Sequence, residues 1–132
     1  MDNILVEIKN NPDIQLLYKQ FYSSLSDSTG TILIHHGKAK YPGKYVKDYN
    51  KINLYIKDER AFEIIKREAE KIYAKYSLNK IFVVHNIGII DRNDTILFLA
   101  VESKDRDSGF ESIREMLEFI KAETLIGLEE MQ

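Results

Sequence analysis

The sequence predicts an α+β fold: a mixed, mostly antiparallel sheet covered by helices. Three observations predict it. The run Thr95-Ile96-Leu97-Phe98-Leu99-Ala100-Val101 is apolar at successive positions, which suits a central strand covered on both faces, because a half-buried strand would alternate. A second strand, residues 81–86, precedes it, with only the turn residues Asp91-Arg92-Asn93-Asp94 as punctuation between. Two strands in succession without a helix argue against a doubly wound fold. Finally, segments with apolar residues at helical spacing are interspersed among the strands.

From the start of the chain, Ile4, Val6 and Ile8 share one face of a short strand. Asn11-Pro12-Asp13 reads as a helix start, with Asn11 as the cap and Pro12 at the first helical position. The helix it opens carries Ile14, Leu17, Tyr18 and Phe21 on one stripe. Residues 23–30 are a polar linker, and residues 31–36 form a strand closed by Gly37. Residues 38–51 are basic, Tyr-rich and poorly periodic, with a turn signal at Pro42-Gly43, and read as a long loop or irregular hairpin with solvated lysines. A strand at 52–56 follows. Asp58 then caps a helix at 59–76, on which Ala61, Ile65, Ala69, Ile72 and Tyr76 keep helical spacing. After the 81–86/95–103 hairpin, a polar loop at 104–107 leads to a helix at 109–121. Ser108 and Glu111 open it as a capping box. The tail from Ala122 is acidic and mixed, and Gly127 argues against a long helix there. The order is β α β β α β β α, without repeat or linker, so 1–132 reads as one domain.

The composition narrows the chemistry. With 44% apolar and 30% charged residues the chain is an ordinary globular one. No apolar run approaches the ~20 residues of a membrane span. Met1-Asp2-Asn3 shows no signal-peptide pattern, so the expected address is the cytoplasm. A net charge of -2 gives no basic footprint for nucleic acid. The absence of cysteine removes disulfides, thiolate metal sites and cysteine nucleophiles.

Few residues are left to carry a reaction. His35 and His36 are neighbours on a strand, so they point to opposite faces and cannot chelate one ion together; with no His-x-His spacing, no metal is expected. His85 ends a strand, either as a hydrogen-bonded structural ring or as a base. Gly37-Lys38-Ala39-Lys40 lacks the second glycine and the Ser/Thr of a phosphate loop. Glu129-Glu130 sit in the tail and look solvated. Lys121 is more informative. It lies about three helical turns after Phe110, at the border of the Phe110–Leu117 stripe, where an ammonium can snorkel or can polarise a carbonyl and hold an anion. Arg106, in the strand-to-helix loop, offers a second fixed positive charge.

The segment Val83-Val84-His85-Asn86-Ile87-Gly88-Ile89-Ile90, then Asn93-Asp94, then Leu99-Ala100-Val101-Glu102-Ser103-Lys104-Asp105-Arg106, then Phe110 and a helix ending Ile120-Lys121, resembles the large, catalytic subunit of molybdopterin synthase. Upstream, Gly30 through the 31–36 strand to Gly37 and Lys40 resembles that family's Gly-rich strand leading to an arginine. The resemblance implies an α/β-hammerhead fold and a homodimer in the molybdenum cofactor pathway. It also implies a small ubiquitin-like sulfur-carrier subunit whose C-terminal Gly-Gly thiocarboxylate enters a pocket of this chain. Two sulfurs pass to a pterin phosphate, cyclic pyranopterin monophosphate. Since the sulfur arrives on the partner, a chain without cysteine, and without a cofactor of its own, needs only to orient the reactants and stabilise charge.

By the resemblance, Lys121 takes the place of the family's essential helix-end lysine and is the expected catalytic residue. Lys40, Arg106 and His85 are the expected substrate-binding set. Lys40 replaces an arginine, keeping charge and losing bidentate geometry. Arg106 matches the arginine that reaches the neighbouring subunit's pocket. Asp105 replaces the histidine before it, an acid where a phosphate is expected. The family's second lysine, in a terminal Trp-Lys-Lys-Glu, is absent from Gly127-Leu128-Glu129-Glu130. Two readings follow: a divergent sulfur-transferring subunit, or a dimeric binding module that holds the ubiquitin-like partner without turnover.

Overall fold

The structure, a computed structural model, describes residues 3–132; Met1 and Asp2 of the expected leaderless start lie outside them. The chain runs β1 (Ile4–Lys9), α1 (Ile14–Tyr22), β2 (Thr31–Lys38), β3 (Lys51–Ile56), α2 (Ala61–Lys75), β4 (Lys80–Asn86), β5 (Gly88–Ile90), β6 (Thr95–Ser103), α3 (Arg106–Lys121) and β7 (Ile126–Met131). It is an α+β fold with mostly antiparallel pairing, as the strand patterns predict. The strands divide into two sheets, ordered β1-β4-β6-β2 and β5-β3-β7. Among the described residues β1 and β4 run parallel and the other pairs are antiparallel.

β6 occupies the centre of the larger sheet, and its apolar run divides between two cores. Leu97, Leu99 and Val101 face α2 and α3, packing with Ile65, Ile72, Met116 and Ile120. Phe98 and Ala100 face α1, packing with Leu17 and Phe21. A third core, of Ala39, Tyr49, Ile52, Leu54 and Ile90, seals the smaller sheet beneath the 39–50 segment. On α3 the buried stripe is Gly109, Ser112, Met116 and Ile120. Phe110 is 58% exposed and lies off it.

Two strands are additional to the expected order. β5 is three residues long, too short to show a period. Gly88, at φ +104, turns the chain from the larger sheet into β5 in the left-handed region that favours glycine. The acidic tail is β7, in which Ile126 and Gly127 are both buried and the residues after them are half-buried or exposed, rather than in a clean alternation. Gly127 there is opposite Tyr55, whose ring lies where a Cβ would be.

The helix starts differ from the sequence reading. α1 is capped by Asp13, which accepts from the Leu16 N–H at 3.1 Å, while Asn11 sits at φ +53. Pro12 therefore precedes the cap. α3 is capped by Asp105, which accepts from the Ser108 N–H at 2.8 Å and the Ser108 hydroxyl at 3.0 Å. Ser108 is thus inside the helix, and the Ser108/Glu111 box is not its start. An acid three residues upstream offers an equally good cap and a longer helix. Asp58 accepts from the Arg60 N–H at 2.9 Å in a turn before α2, whose cap position is Arg60.

The sheet's far end is tied by a buried ion pair. Lys80 Nζ lies 3.0 Å from Glu102 Oε2, with the two side chains 1% and 0% exposed. Lys80 also donates to the carbonyls of Phe21 and Ser24, each at 2.9 Å. The other oxygen, Glu102 Oε1, accepts from the Ser26 N–H at 3.0 Å and the Thr29 hydroxyl at 2.7 Å. Burial alone would raise the Glu102 pKa; these donors and Lys80 together hold it below its ordinary value. Removing one charge strands the other. Glu102→Leu alone is expected to lower stability by about 3 kcal/mol or more in urea unfolding, and Lys80→Met/Glu102→Leu to recover most of that loss. A double variant no more stable than the single one would show the pair to be independent.

Candidate functional site

The two sheets and the end of α3 meet around a cavity of about 390 Å³. His35 and Gly37 of β2, His85 of β4 and Leu97 of β6 line one side. Ile52 and Leu54 of β3 with Gly127, Leu128 and Glu130 of β7 line the other, Lys121 closes the α3 end, and Lys40 and Lys44 enter from the 39–50 segment. Lys121, Lys40 and His85 are therefore brought together. Arg106 is not. It is the first residue of α3, exposed, and lies roughly 22 Å from Lys121 along a sixteen-residue helix. Asp105, as the α3 cap, is at that same remote end. Its carboxyl is held below the ordinary value chiefly by the Ser108 N–H, and it does not oppose the cavity's positive charge.

His85 is 6% exposed. Its Nδ1 is 2.7 Å from the Asn86 carbonyl oxygen. That acceptor fixes the tautomer with the proton on Nδ1 and leaves a lone pair on Nε2. Burial lowers its pKa, with the Asn86 carbonyl opposing. His35 is half-buried, and its pKa is lowered by burial, then by the charge of Lys121, then by His36. As the alternation requires, His36 is on the other face, with Nε2 2.8 Å from the Thr95 hydroxyl. Among the described residues no three His, Asp or Glu side chains converge on a possible metal position.

The 39–50 segment is more ordered than its composition suggests. Glu130 accepts the backbone N–H groups of Lys44, Tyr45 and Val46 at 2.8, 2.6 and 2.6 Å. Three donors converging on one carboxylate form a nest around the anion. Burial would push the Glu130 pKa up, but these N–H groups and the charge of Lys40 hold it down. Glu123 anchors the same stretch through the Tyr45 hydroxyl at 3.0 Å and Lys44 Nζ at 3.4 Å. Tyr49 is buried and donates to the Lys40 carbonyl at 2.7 Å. Glu130, read from sequence as a solvated tail acid, is thus the strap of the cavity's basic rim. The only signals were a lysine-rich loop and an acid eighty residues on, and nothing local links them.

The profile of the MoaE protein family matches residues 8–123. The chain belongs to that family, the large subunits of molybdopterin synthase. MoaE membership places it in molybdenum cofactor biosynthesis. A search of curated proteins finds no significant match. Among solved structures, a molybdopterin synthase from Staphylococcus aureus superposes with TM-score 0.80 at 21% identity, over 99% of this chain and 92% of that one. The molybdopterin cofactor biosynthesis protein E from Burkholderia multivorans gives 0.78 at 15%, over 99% and 85%. A complex of subunits 1 and 2 of the molybdopterin-converting factor from Helicobacter pylori gives 0.71 at 13%, over 98% and 84%. At these identities the likeness is one of fold. Among the described residues no helix is long and apolar enough to cross a membrane.

Two consequences can be measured. Replacing Glu130 by alanine removes the acceptor from three amides. Hydrogen exchange at residues 44–46 is expected to accelerate by about tenfold or more, with the β4–β6 amides unchanged. His85 titrates lower folded than unfolded, so as pH falls through about 6.5 the unfolded chain takes up the proton first. Urea stability is therefore expected to be level above that pH and to fall below it, with a shallower fall in His85→Gln.

Proposed function

We propose that this chain is the catalytic large subunit of a molybdopterin synthase working in the cytoplasm. It would transfer two sulfurs from the thiocarboxylated Gly-Gly tail of a small ubiquitin-like subunit to cyclic pyranopterin monophosphate. The observation that carries this reading is the cavity that gathers Lys121, Lys40 and His85 between the two sheets. An apolar wall with a basic rim suits a slender peptide tail on one side and a phosphate on the other. Lys40 holds the phosphate, the neutral His85 ring hydrogen-bonds the pterin, and the Lys121 ammonium stabilises the oxyanion that forms on the acyl carbon. A two-subunit relative, the Helicobacter pylori complex, supports a small partner subunit. The distance of Arg106 from its own cavity supports a homodimer in which the arginine of one subunit completes the site of the other.

Reconstitution with a thiocarboxylated small subunit and the pterin phosphate tests the reading. Wild-type protein is expected to form dithiolene, and Lys121→Ala and Arg106→Ala each to lose about 100-fold. Mixing the two variants after subunit exchange places one intact site in each mixed dimer, so about a quarter of the wild-type rate returns. No recovery would confine Arg106 to its own subunit.

One observation favours a second reading. Leu128, in a position for which the resemblance implies a lysine, presents an apolar side chain to the cavity. A binding module without turnover would hold the small subunit normally and give no product with any donor. If Lys121→Ala abolishes a measurable wild-type activity while leaving small-subunit binding unchanged, that second reading falls.

A further inference from the structure

The donor tail enters as a thiocarboxylate and leaves as a carboxylate, so each transfer breaks a carbon–sulfur bond and forms a carbon–oxygen bond from water. That exchange needs a proton acceptor in the cavity. Glu130 is spent on three amides, and Glu123 on Tyr45 and Lys44. His85 is nearly sealed from solvent. His35 differs. It projects from β2 into the cavity, half-buried, and among the described residues no hydrogen bond occupies either ring nitrogen. Its Nε2 lies 3.1 Å from where a Cβ on Gly37 would be, so the glycine leaves the ring its place.

We propose that His35 is the general base of this site, taking the proton from the water that releases the donor tail. The assignment rests on the sulfur-transfer reading above. When sulfur is bonded both to the pterin carbon and to the acyl carbon, the two are joined as a thioester. Water oxygen adds to the acyl carbon as His35 accepts one of its protons. The tetrahedral adduct collapses, and the electron pair of the carbon–sulfur bond leaves with the sulfur as a thiolate on the pterin. The tail departs as a carboxylic acid and ionises, and the imidazolium returns its proton to solvent. No oxidation or reduction occurs. The ring is available for this at neutral pH. Burial and the neighbouring Lys121, with His36 behind it, disfavour its charged form; Lys38, Lys40 and Lys44 also line the cavity, Lys44 paired with Glu123. The carboxylates that could offset them, Glu123 and Glu130, are engaged with the loop.

A single-turnover reaction of the reconstituted complex tests the proposal. His35→Gln is expected to slow release of the tail by about 100-fold. It should also accumulate the small subunit joined through sulfur to the pterin, visible as an intact-protein mass adduct. His35→Phe, which keeps a planar ring of similar size, should behave alike. The wild-type release rate should rise along a histidine limb that both variants lack. Wild-type release and no adduct in a folded variant would overturn the base while leaving sulfur transfer intact. A wild-type protein that forms no product would overturn both. An NMR titration in which the His35 ring is protonated at pH 7 would overturn the base whatever the variants do.

Discussion

Strand β6 has no exposed face, and most of the architecture follows from that constraint. Apolar side chains leave both sides of it, so helices must cover both, α2 and α3 on one and α1 on the other. A strand buried this way also needs neighbours on both edges to satisfy its backbone, which β4 and β2 provide. Charged groups enter this interior at its end, where Lys80 meets Glu102. Their remaining hydrogen-bonding capacity is taken by the end of α1 and by the 23–30 segment. The pair thus converts a stretch without regular structure into a fixed part of the fold. Charges buried this deep earn little net stability, but their geometry admits only one arrangement of the chain around them.

The cavity arises where this packing stops. The smaller sheet carries its own core and meets the larger one only near the ends of β2, β4 and β6, leaving a seam that α3 closes with its last turn. Electrostatics at the seam are arranged with economy. Lysines reach it from three different elements, and the two carboxylates that line it, Glu123 and Glu130, are hydrogen-bonded to the backbone and side chains of the 39–50 segment. A positive cavity is kept open by acids that hold its rim rather than neutralise its centre.

Much of the fold was legible in the residues. The double-sided apolar run, the helical stripes of α1 and α2 and the β4–β6 hairpin each leave a local period, and the structure bears them out. The missing pieces leave none. β5 is too short, and in β7 a glycine beneath Tyr55 and two successive glutamates interrupt the alternation. Caps were misplaced by two or three residues because Asn, Asp and Ser stand close together at these starts, and backbone geometry chooses the position. At the site, position within an element could place Lys121 at a helix end and separate His35 from His36. It could not show that the end of α3 and the end of β2 converge, nor that Glu130 reaches back to residues 44–46. Those are contacts of tertiary packing between distant parts of the chain.

The strap formed by Glu130 also has a bearing on how the protein comes into being. Part of one wall of the cavity, and the carboxylate that sets its rim, belong to β7, whereas His35, Lys38, Lys40 and Lys44 belong to the first third of the chain. During synthesis the helices and the larger sheet can assemble before residue 126 is made, yet no nascent chain can present a finished cavity. A chain that stops before residue 126 lacks that wall and the carboxylate that holds the amides of residues 44–46, however well its main core has packed.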